Sequence, residues 1–283
     1  VAEASAPASS ANLGPGFDCL ALAIEMRCRV AAEPADRWSV RHAGLESLEP
    51  VADDGVLAAA RAAVGDDRPL ALVVDNDIPI GRGLGSSAAA FAAGALAAWR
   101  AVGEEPRLQR LFRLVAALEG HPDNAAAAVY GGFVLAAVGG EAIRLPWNPY
   151  LRIVLAVPHS ALPTQAARRV LPAGYPAEVV VRSLSRLAAL MAGLLTGDAA
   201  ALAAAAGDEL HEAPRNDVRP EVDELIRVAR AAGAFHAAWS GAGPSTLAIV
   251  PAGRTAAVRE ALAHRLGNQG TVVVPSIAVE GAR

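Results

Sequence analysis

The sequence contains no lysine, and all 25 of its basic residues are arginine. That absence removes Schiff-base chemistry, pyridoxal-type sites and the lysine of a Walker-A phosphate loop. Cysteine is nearly as scarce, and Cys19 and Cys28 form neither a disulfide framework nor a metal-ligand spacing. Aromatic residues make up 4% of the chain and charged residues 19%, while alanine supplies about a quarter. The 25 basic residues face 29 acidic ones without any dense arginine run, so no nucleic-acid partner is expected. Nor does any apolar run read as long and uniform enough to span a bilayer, because Arg, Gly, Asp or Glu interrupts the alanine-rich stretches. Val1 to Ser10 has no basic segment leading into an apolar one, so no signal peptide is expected and a cytoplasmic location is the default.

What remains is a globular composition, 53% hydrophobic over 283 residues, enough for one large domain or two modest ones. The pattern predicts strands over Val1 to Ser5 and Leu20 to Ala31, around a loop punctuated by Gly14, Pro15 and Gly16. A helix over 55–64, a strand from Leu70 to Asp75 and a long alanine-rich helix to about Val102 follow. Next come a helix from Leu108 to Glu119 and a short one with Asp123 as its N-cap. Strands over Phe133 to Val138 and Arg152 to Val157 flank Gly139, Gly140 and the segment Pro146 to Pro149. That punctuation divides the chain into residues 1–148 and 149–283. Beyond it the pattern predicts helices at 164–171, 177–196, 198–212, 220–232 and 253–266, and strands at 236–240, 246–250 and 271–275. Strands and helices are grouped rather than strictly alternating, which gives an α+β fold.

The sharpest local signal is the run Pro79, Ile80, Gly81, Arg82, Gly83, Leu84, Gly85, Ser86, Ser87, Ala88, Ala89. Alternating glycines let the backbone approach a ligand closely, and the helix that follows presents unpaired N–H groups and its positive dipole end. Such a turn is an anion site, with phosphate its usual occupant. A dinucleotide fingerprint, Gly83-x-Gly85-x-x-Ala88 with Glu104, fails because Glu104 lies between two helices instead of ending a second strand. No serine here stands in a nucleophile elbow. A plain strand-to-helix turn capped by serine is the alternative. Three further clusters carry chemistry: Ser9 to Asp18 on a Gly/Pro loop, Glu119-Gly-His-Pro-Asp-Asn124 at a helix break, and the glycine loop Trp239 to Thr246.

Together these strings resemble the GHMP kinases, whose three motifs would be Pro7 to Asp18, Pro79 to Ala89 and Ser240 to Ser245. Ser9-Ser-Ala-Asn-Leu-Gly-Pro-Gly-Phe-Asp18, Glu119 to Asn124 and Tyr130-Gly-Gly-Phe133 are most similar to the homoserine kinase family. Ser185-Arg186 and Leu210-His211 with Arg215 are similar as well. The resemblance implies ATP-dependent phosphorylation of the side-chain hydroxyl of L-homoserine to O-phospho-L-homoserine, a step of threonine biosynthesis. It implies an N-terminal domain like ribosomal protein S5 domain 2, a ferredoxin-like C-terminal domain, and usually a homodimer. ATP would bind at Pro79 to Ala89, with Mg²⁺ held by Glu119 and Ser87, or Ser86 in its stead, all hard oxygen donors. Asn12, Asp18, His121, Asp123, Arg186, Arg215 and Gly241 would bind the substrate. Asp18 would take its ammonium, and Arg186 and Arg215 its carboxylate. Asp123, Glu119 and Asn124 would stand at the reacting groups, with Asp123 either a general base or an orienting group. In one departure, this chain has His211-Glu-Ala-Pro-Arg215 where the family often reads His-Gln-Pro-Tyr-Arg, which places the loop path before Arg215 in question. Another small-molecule kinase of the superfamily, or a nucleotide-binding protein without turnover, remains open at this point; a mevalonate-type enzyme would need the missing lysine.

Overall fold

The structure, a computed structural model, describes residues 1–44 and 54–283. One long strand organises the first half. β2 (Leu20–Pro34) pairs antiparallel with β1 (Ala2–Ala11), β4 (Leu70–Asn76) and β5 (Phe133–Ala137). β3 (Ser39–Gly44) extends the sheet parallel to β4, and β6 (Glu141–Leu145) extends it antiparallel to β5. α2 (Ser86–Ala101) and α4 (Asp123–Tyr130) lie on this sheet, and α1 (Gly55–Val64) and α3 (Leu108–Glu119) pack against α2. Alanine lets α2 sit deep: Ala88, Ala89, Ala92, Ala93 and Ala95 have no exposed surface, and their small side chains bring neighbouring elements close. At Gly94 even a Cβ would stand 2.9 Å from the Val56 carbonyl oxygen, so α1 and α2 meet backbone to backbone.

The second half is an antiparallel sheet in the order β10 (Gly270–Val273), β7 (Leu151–Pro158), β9 (Thr246–Pro251), β8 (His236–Trp239). Strand residues alternate faces. Val154, Ala156, Ala248 and Val250 pack under α9 (Pro220–Ala231) and α10 (Thr255–Leu266). Ile153, Leu155, Leu247 and Ile249 join the core shared with the first half. Burial on both faces explains the almost unbroken apolar run of β7, and helices on one face of an antiparallel sheet make the ferredoxin-like arrangement. α5 (Thr164–Arg169), α6 (Ala177–Thr196), α7 (Ala199–Ala204) and α8 (Glu212–Asn216) connect β7 to α9. The fold is α+β.

Several elements depart from expectation. β3 and β6 are edge strands of mixed polarity, and such strands need little apolar sequence. The single helix predicted over 198–212 divides into α7 and α8. Between them Gly207 takes φ +84°, and Asp208 accepts from the N–H groups of His211 (2.7 Å) and Glu212 (3.1 Å). Asp123 is the first residue of α4 rather than its N-cap, and its carboxylate accepts from the N–H of Asn124. α6 also corrects the reading that no run could span a bilayer. By length and composition alone its 20 residues meet that requirement, with mean hydropathy 1.5 and 22% of the window buried. Leu190 and Leu194 join the core, while Val181 and Leu184 are exposed.

The chain passes from the first sheet to the second over residues 146–150. Residues 276–283, expected with the second unit, run back to the first. Ile277 bridges Ile24, Ser5 and Arg283 exchange backbone hydrogen bonds of 2.8 and 2.9 Å, and buried Arg27 donates to the carbonyls of Glu280 and Gly281.

The two glycine loops interlock where the units meet. The Ser240 hydroxyl donates to the Gly83 carbonyl at 2.8 Å and shares a 2.8 Å hydrogen bond with the Ser10 hydroxyl. Gly83 has φ +70°, and a Cβ there would fall 2.1 Å from the Ser240 carbonyl oxygen and 2.6 Å from the Gly243 nitrogen. Gly83→Ala therefore combines left-handed strain with a backbone collision, and should cost about 2–4 kcal/mol of stability in equilibrium denaturation. Gly81→Ala, whose Cβ would meet the Ala161 Cβ at 3.2 Å, should cost clearly less.

Candidate functional site

A cavity of about 350 Å³ lies between the phosphate-type loop, the Gly/Pro loop near the N-terminus and the break after α3. Ile80, Gly81, Gly83, Leu84 and Gly85 wall one side, continued by Ser86 and Ser87 in the first turn of α2. The unpaired N–H groups and the positive dipole end of that turn converge on it. The loop's shape is held from outside, since the Ser9 N–H donates to the Leu84 carbonyl at 3.0 Å and the Asn76 side chain donates to Ser86 Oγ at 3.3 Å. Of the other residues expected here, Pro79 precedes the wall, Ala88 and Ala89 are buried inside the helix packing, and Arg82 turns to the carbonyls of Ile80 and His159.

Beside the end of the loop stand Glu119, His121, Asp123 and Asn124, all lining the cavity. His121 lies between two carboxylates, with Nδ1 2.7 Å from Asp123 Oδ1 and Nε2 3.5 Å from Glu119 Oε2. Burial opposes protonation of His121, but the hydrogen bond to Asp123 and the charges of Asp123 and Glu119 outweigh it and raise the pKa. Burial raises the pKa of Glu119 against the hydrogen bond from Ser87. Asp123 Oδ1 also accepts from the N–H of Asn124 at 2.8 Å. The Asn124 amide oxygen accepts from Ser9 Oγ at 2.8 Å, which ties the break to β1.

The Gly/Pro loop forms the third side. Asn12, Leu13 and Asp18 adopt φ of +70°, +53° and +54°, which non-glycine residues rarely do, and such strain concentrates at functional sites. Asn12 spans the loop, its Oδ1 accepting from the Asp18 N–H at 3.1 Å and its Nδ2 donating to the Gly241 carbonyl at 2.9 Å. That same carbonyl accepts from Arg215 at 3.0 Å. Asp18, His121 and Asp123 each place a ligand-capable atom within 4.8 Å of the others.

The arginines divide differently from expectation. Arg215 lines the cavity despite the displaced proline before it, 1% exposed and bonded to His211 Nδ1 at 2.8 Å. Burial, and then the charge of Arg168, lower its pKa to about 10. Arg186 does not line the cavity; it is ion-paired with Glu209 at 2.7 Å, which also holds Arg182. Arg168 of α5 lines the cavity instead, with its guanidinium 2.6 Å from Asp18 Oδ1 and 3.1 Å from Oδ2. Sequence reasoning passed over Arg168, a charged residue on a short surface helix with no motif around it. Thr164 reaches the cavity from the same helix. His42, Asp54, Val56, Val74, Asn76 and Phe91 also line the cavity. His42, which looked isolated in sequence, stands 2.5 Å from Asp54.

Residues 54–132 match the GHMP kinases N terminal domain and residues 190–268 the GHMP kinases C terminal domain. Homoserine kinase of Thermus thermophilus is 41% identical over 96% of this chain and 94% of its own length. That of Gloeobacter violaceus is 39% identical over 98% of this chain and 96% of its own. The crystal structure of homoserine kinase from Cytophaga hutchinsonii superposes with a TM-score of 0.86, at 25% identity over 100% of this chain and 96% of that one. A phosphomevalonate kinase of Streptococcus pneumoniae, 15% identical over 98% of this chain and 99% of that one, shares the fold at a TM-score of 0.75. With both halves of the superfamily matched and full-length relatives well above 30% identity, this chain belongs to the homoserine kinase family of the GHMP kinases, which are ATP-using small-molecule kinases.

Proposed function

We propose that the chain transfers the γ-phosphoryl group of ATP to the side-chain hydroxyl of L-homoserine. The observation that carries this reading is the Asp18–Arg168 ion pair, which with Arg215 lines the same cavity as the glycine-rich loop. An anion and a cation side by side are what an α-amino acid zwitterion needs. A sugar or mevalonate has no ammonium for Asp18. In this reading Asp18 takes the ammonium, while Arg168 and Arg215 take the carboxylate, as arginine's planar fork allows.

Phosphoryl transfer needs in-line positioning and neutralisation of spreading negative charge. The amides of Gly81 to Ser87 cradle the ATP phosphates. The apolar lining at Val56, Val74 and Phe91 receives the base. Glu119 and Ser87 suit Mg²⁺: both are hard oxygen donors at the mouth of the helix, and the buried carboxylate with its raised pKa is short of compensating positive charge. When bound there, Mg²⁺ supplies positive charge to the phosphate oxygens. Asn12, Gly241 and Asn124 shape the site through the bonds described above and need not touch the substrate. Asp123 is fixed by two hydrogen bonds to Oδ1, and its second oxygen orients the homoserine hydroxyl. A homodimer and a cytoplasmic location belong to the same reading, and light scattering of the purified protein checks the first.

ADP release with Mg·ATP, measured against L-homoserine, L-serine, L-threonine, mevalonate and galactose, should show strong turnover with L-homoserine alone; turnover with none of them would sink the reading. Arg168→Met and Arg215→Met should each raise KM for L-homoserine about 10–100-fold with KM for ATP nearly unchanged, the loss of a charge-assisted pair. Arg186→Met should leave both constants near native. Asp123→Asn separates two roles. A fall in kcat of roughly 100-fold or more with ATP affinity kept makes Asp123 a general base, and a smaller fall makes it a positioning group. The raised pKa of Glu119 also fixes a sign. Protons and Mg²⁺ compete for that carboxylate, so the acid limb of kcat/KM for ATP should lie above the ordinary carboxylate range and move to lower pH as Mg²⁺ is raised.

A further inference from the structure

Phe17 stands beside Asp18 on the strained loop, and its ring is shared by three other side chains. The His211 imidazole stacks against it at 5.0 Å between centroids and 22° between planes. The guanidinium carbons of Arg168 and Arg215 lie 5.6 and 5.7 Å from the ring centroid. Both distances fall within the range over which a cation is drawn to the negative face of an aromatic ring.

Two guanidinium groups repel each other, so something must hold them together before any carboxylate arrives. Arg168 has Asp18 as a partner. Arg215 is bonded instead to neutral acceptors: the carbonyls of Ala167 (3.3 Å) and Gly241 (3.0 Å) and His211 Nδ1 (2.8 Å). His211 is fully buried, and burial pushes its pKa well down. It is therefore neutral, donating from Nε2 to the Gly14 carbonyl at 2.8 Å and accepting from Arg215 at Nδ1. The imidazole so fixed keeps the Phe17 ring in place. The ring contacts both cations and the residue that braces Arg215.

We propose that Phe17 is a positioning residue whose ring, backed by His211, is the common platform that sets Arg168 and Arg215 side by side to bind one carboxylate. The proposal rests on the reading that this pair binds the carboxylate of L-homoserine. Its role is tied to the π face and not to the apolar volume. Leucine at this position would fill similar space and leave the cations unsupported. Tyrosine would keep the ring.

The test compares Phe17→Leu and Phe17→Tyr with the native enzyme on two acceptors. These are L-homoserine and 3-aminopropan-1-ol, which keeps the amine and the hydroxyl but lacks the carboxylate. Phe17→Leu should raise KM for L-homoserine about tenfold, the scale of two cation–π contacts. KM for ATP and kcat/KM for 3-aminopropan-1-ol should move by less than about twofold. Phe17→Tyr should recover most of the loss. Should the leucine variant not fold, fluorinated phenylalanines placed at position 17 keep the shape while draining the ring quadrupole. KM for L-homoserine should then climb stepwise with fluorine count. An unchanged KM for L-homoserine in Phe17→Leu, an equal loss on both acceptors, or a flat fluorination series would overturn the platform. A native enzyme that used both acceptors equally would overturn the carboxylate reading itself, and with it this one. A native preference for L-homoserine that Phe17→Leu leaves undiminished overturns the platform alone.

Discussion

A glycine-rich loop of bare backbone cannot hold its own shape, and the hydrogen bond from Ser240 to the Gly83 carbonyl imposes one from the second unit, as those from Ser9 and Asn76 do from the first. Glycine gives the loop access to left-handed conformations, but the same freedom would let it collapse or open. Contact from the second unit removes that freedom. The packing is close enough that Gly83 has no room for a Cβ. The same second loop offers the Gly241 carbonyl to Asn12 and Arg215, so one short segment fixes both the glycine-rich loop and the Asn12 and Arg215 side chains that line the cavity with it. Such positioning is most of what phosphoryl transfer requires of a protein.

The charges in the cavity follow a second rule, that each is placed beside something that offsets it without removing it. His121 sits between Glu119 and Asp123, and Arg168 answers Asp18. Arg215 is set among carbonyls and an imidazole nitrogen, so its charge stays available to a ligand anion. The absence of lysine sharpens this arrangement. Guanidinium groups keep their charge where an ammonium would readily lose it on burial, and their planar forks preorganise the recognition of a carboxylate.

How much of this was legible in the sequence depended on whether a residue's role was local. α1 and α3 follow from apolar periodicity, and α6 runs over the very residues that its periodicity and its flanking Pro176 and Gly197 suggest. The phosphate-type loop and the Glu119–Asn124 cluster were legible because their chemistry is packed into a few consecutive positions. Arg168 was not, because nothing near it in the chain distinguishes it from Arg169; only its distance to Asp18, 150 positions away, does so. Arg186 looked equivalent, but it shares Glu209 with Arg182 away from the cavity. The break between α7 and α8 was also hidden. Alanine-rich sequence favours helix there, and the turn at Gly207 and Asp208 places His211 and Arg215 against the first unit instead.

The return of residues 276–283 to the first sheet has a mechanical meaning. A chain that visits its second unit and comes back is attached to it by two backbone crossings, one over residues 146–150 and one after β10. Two attachments define a line, and rigid rotation of one unit against the other is confined to motion about that line unless the tail peels from Ser5 and Ile24. The cleft between the units is thus hinged like a door on two pins rather than tethered like a ball on a cord.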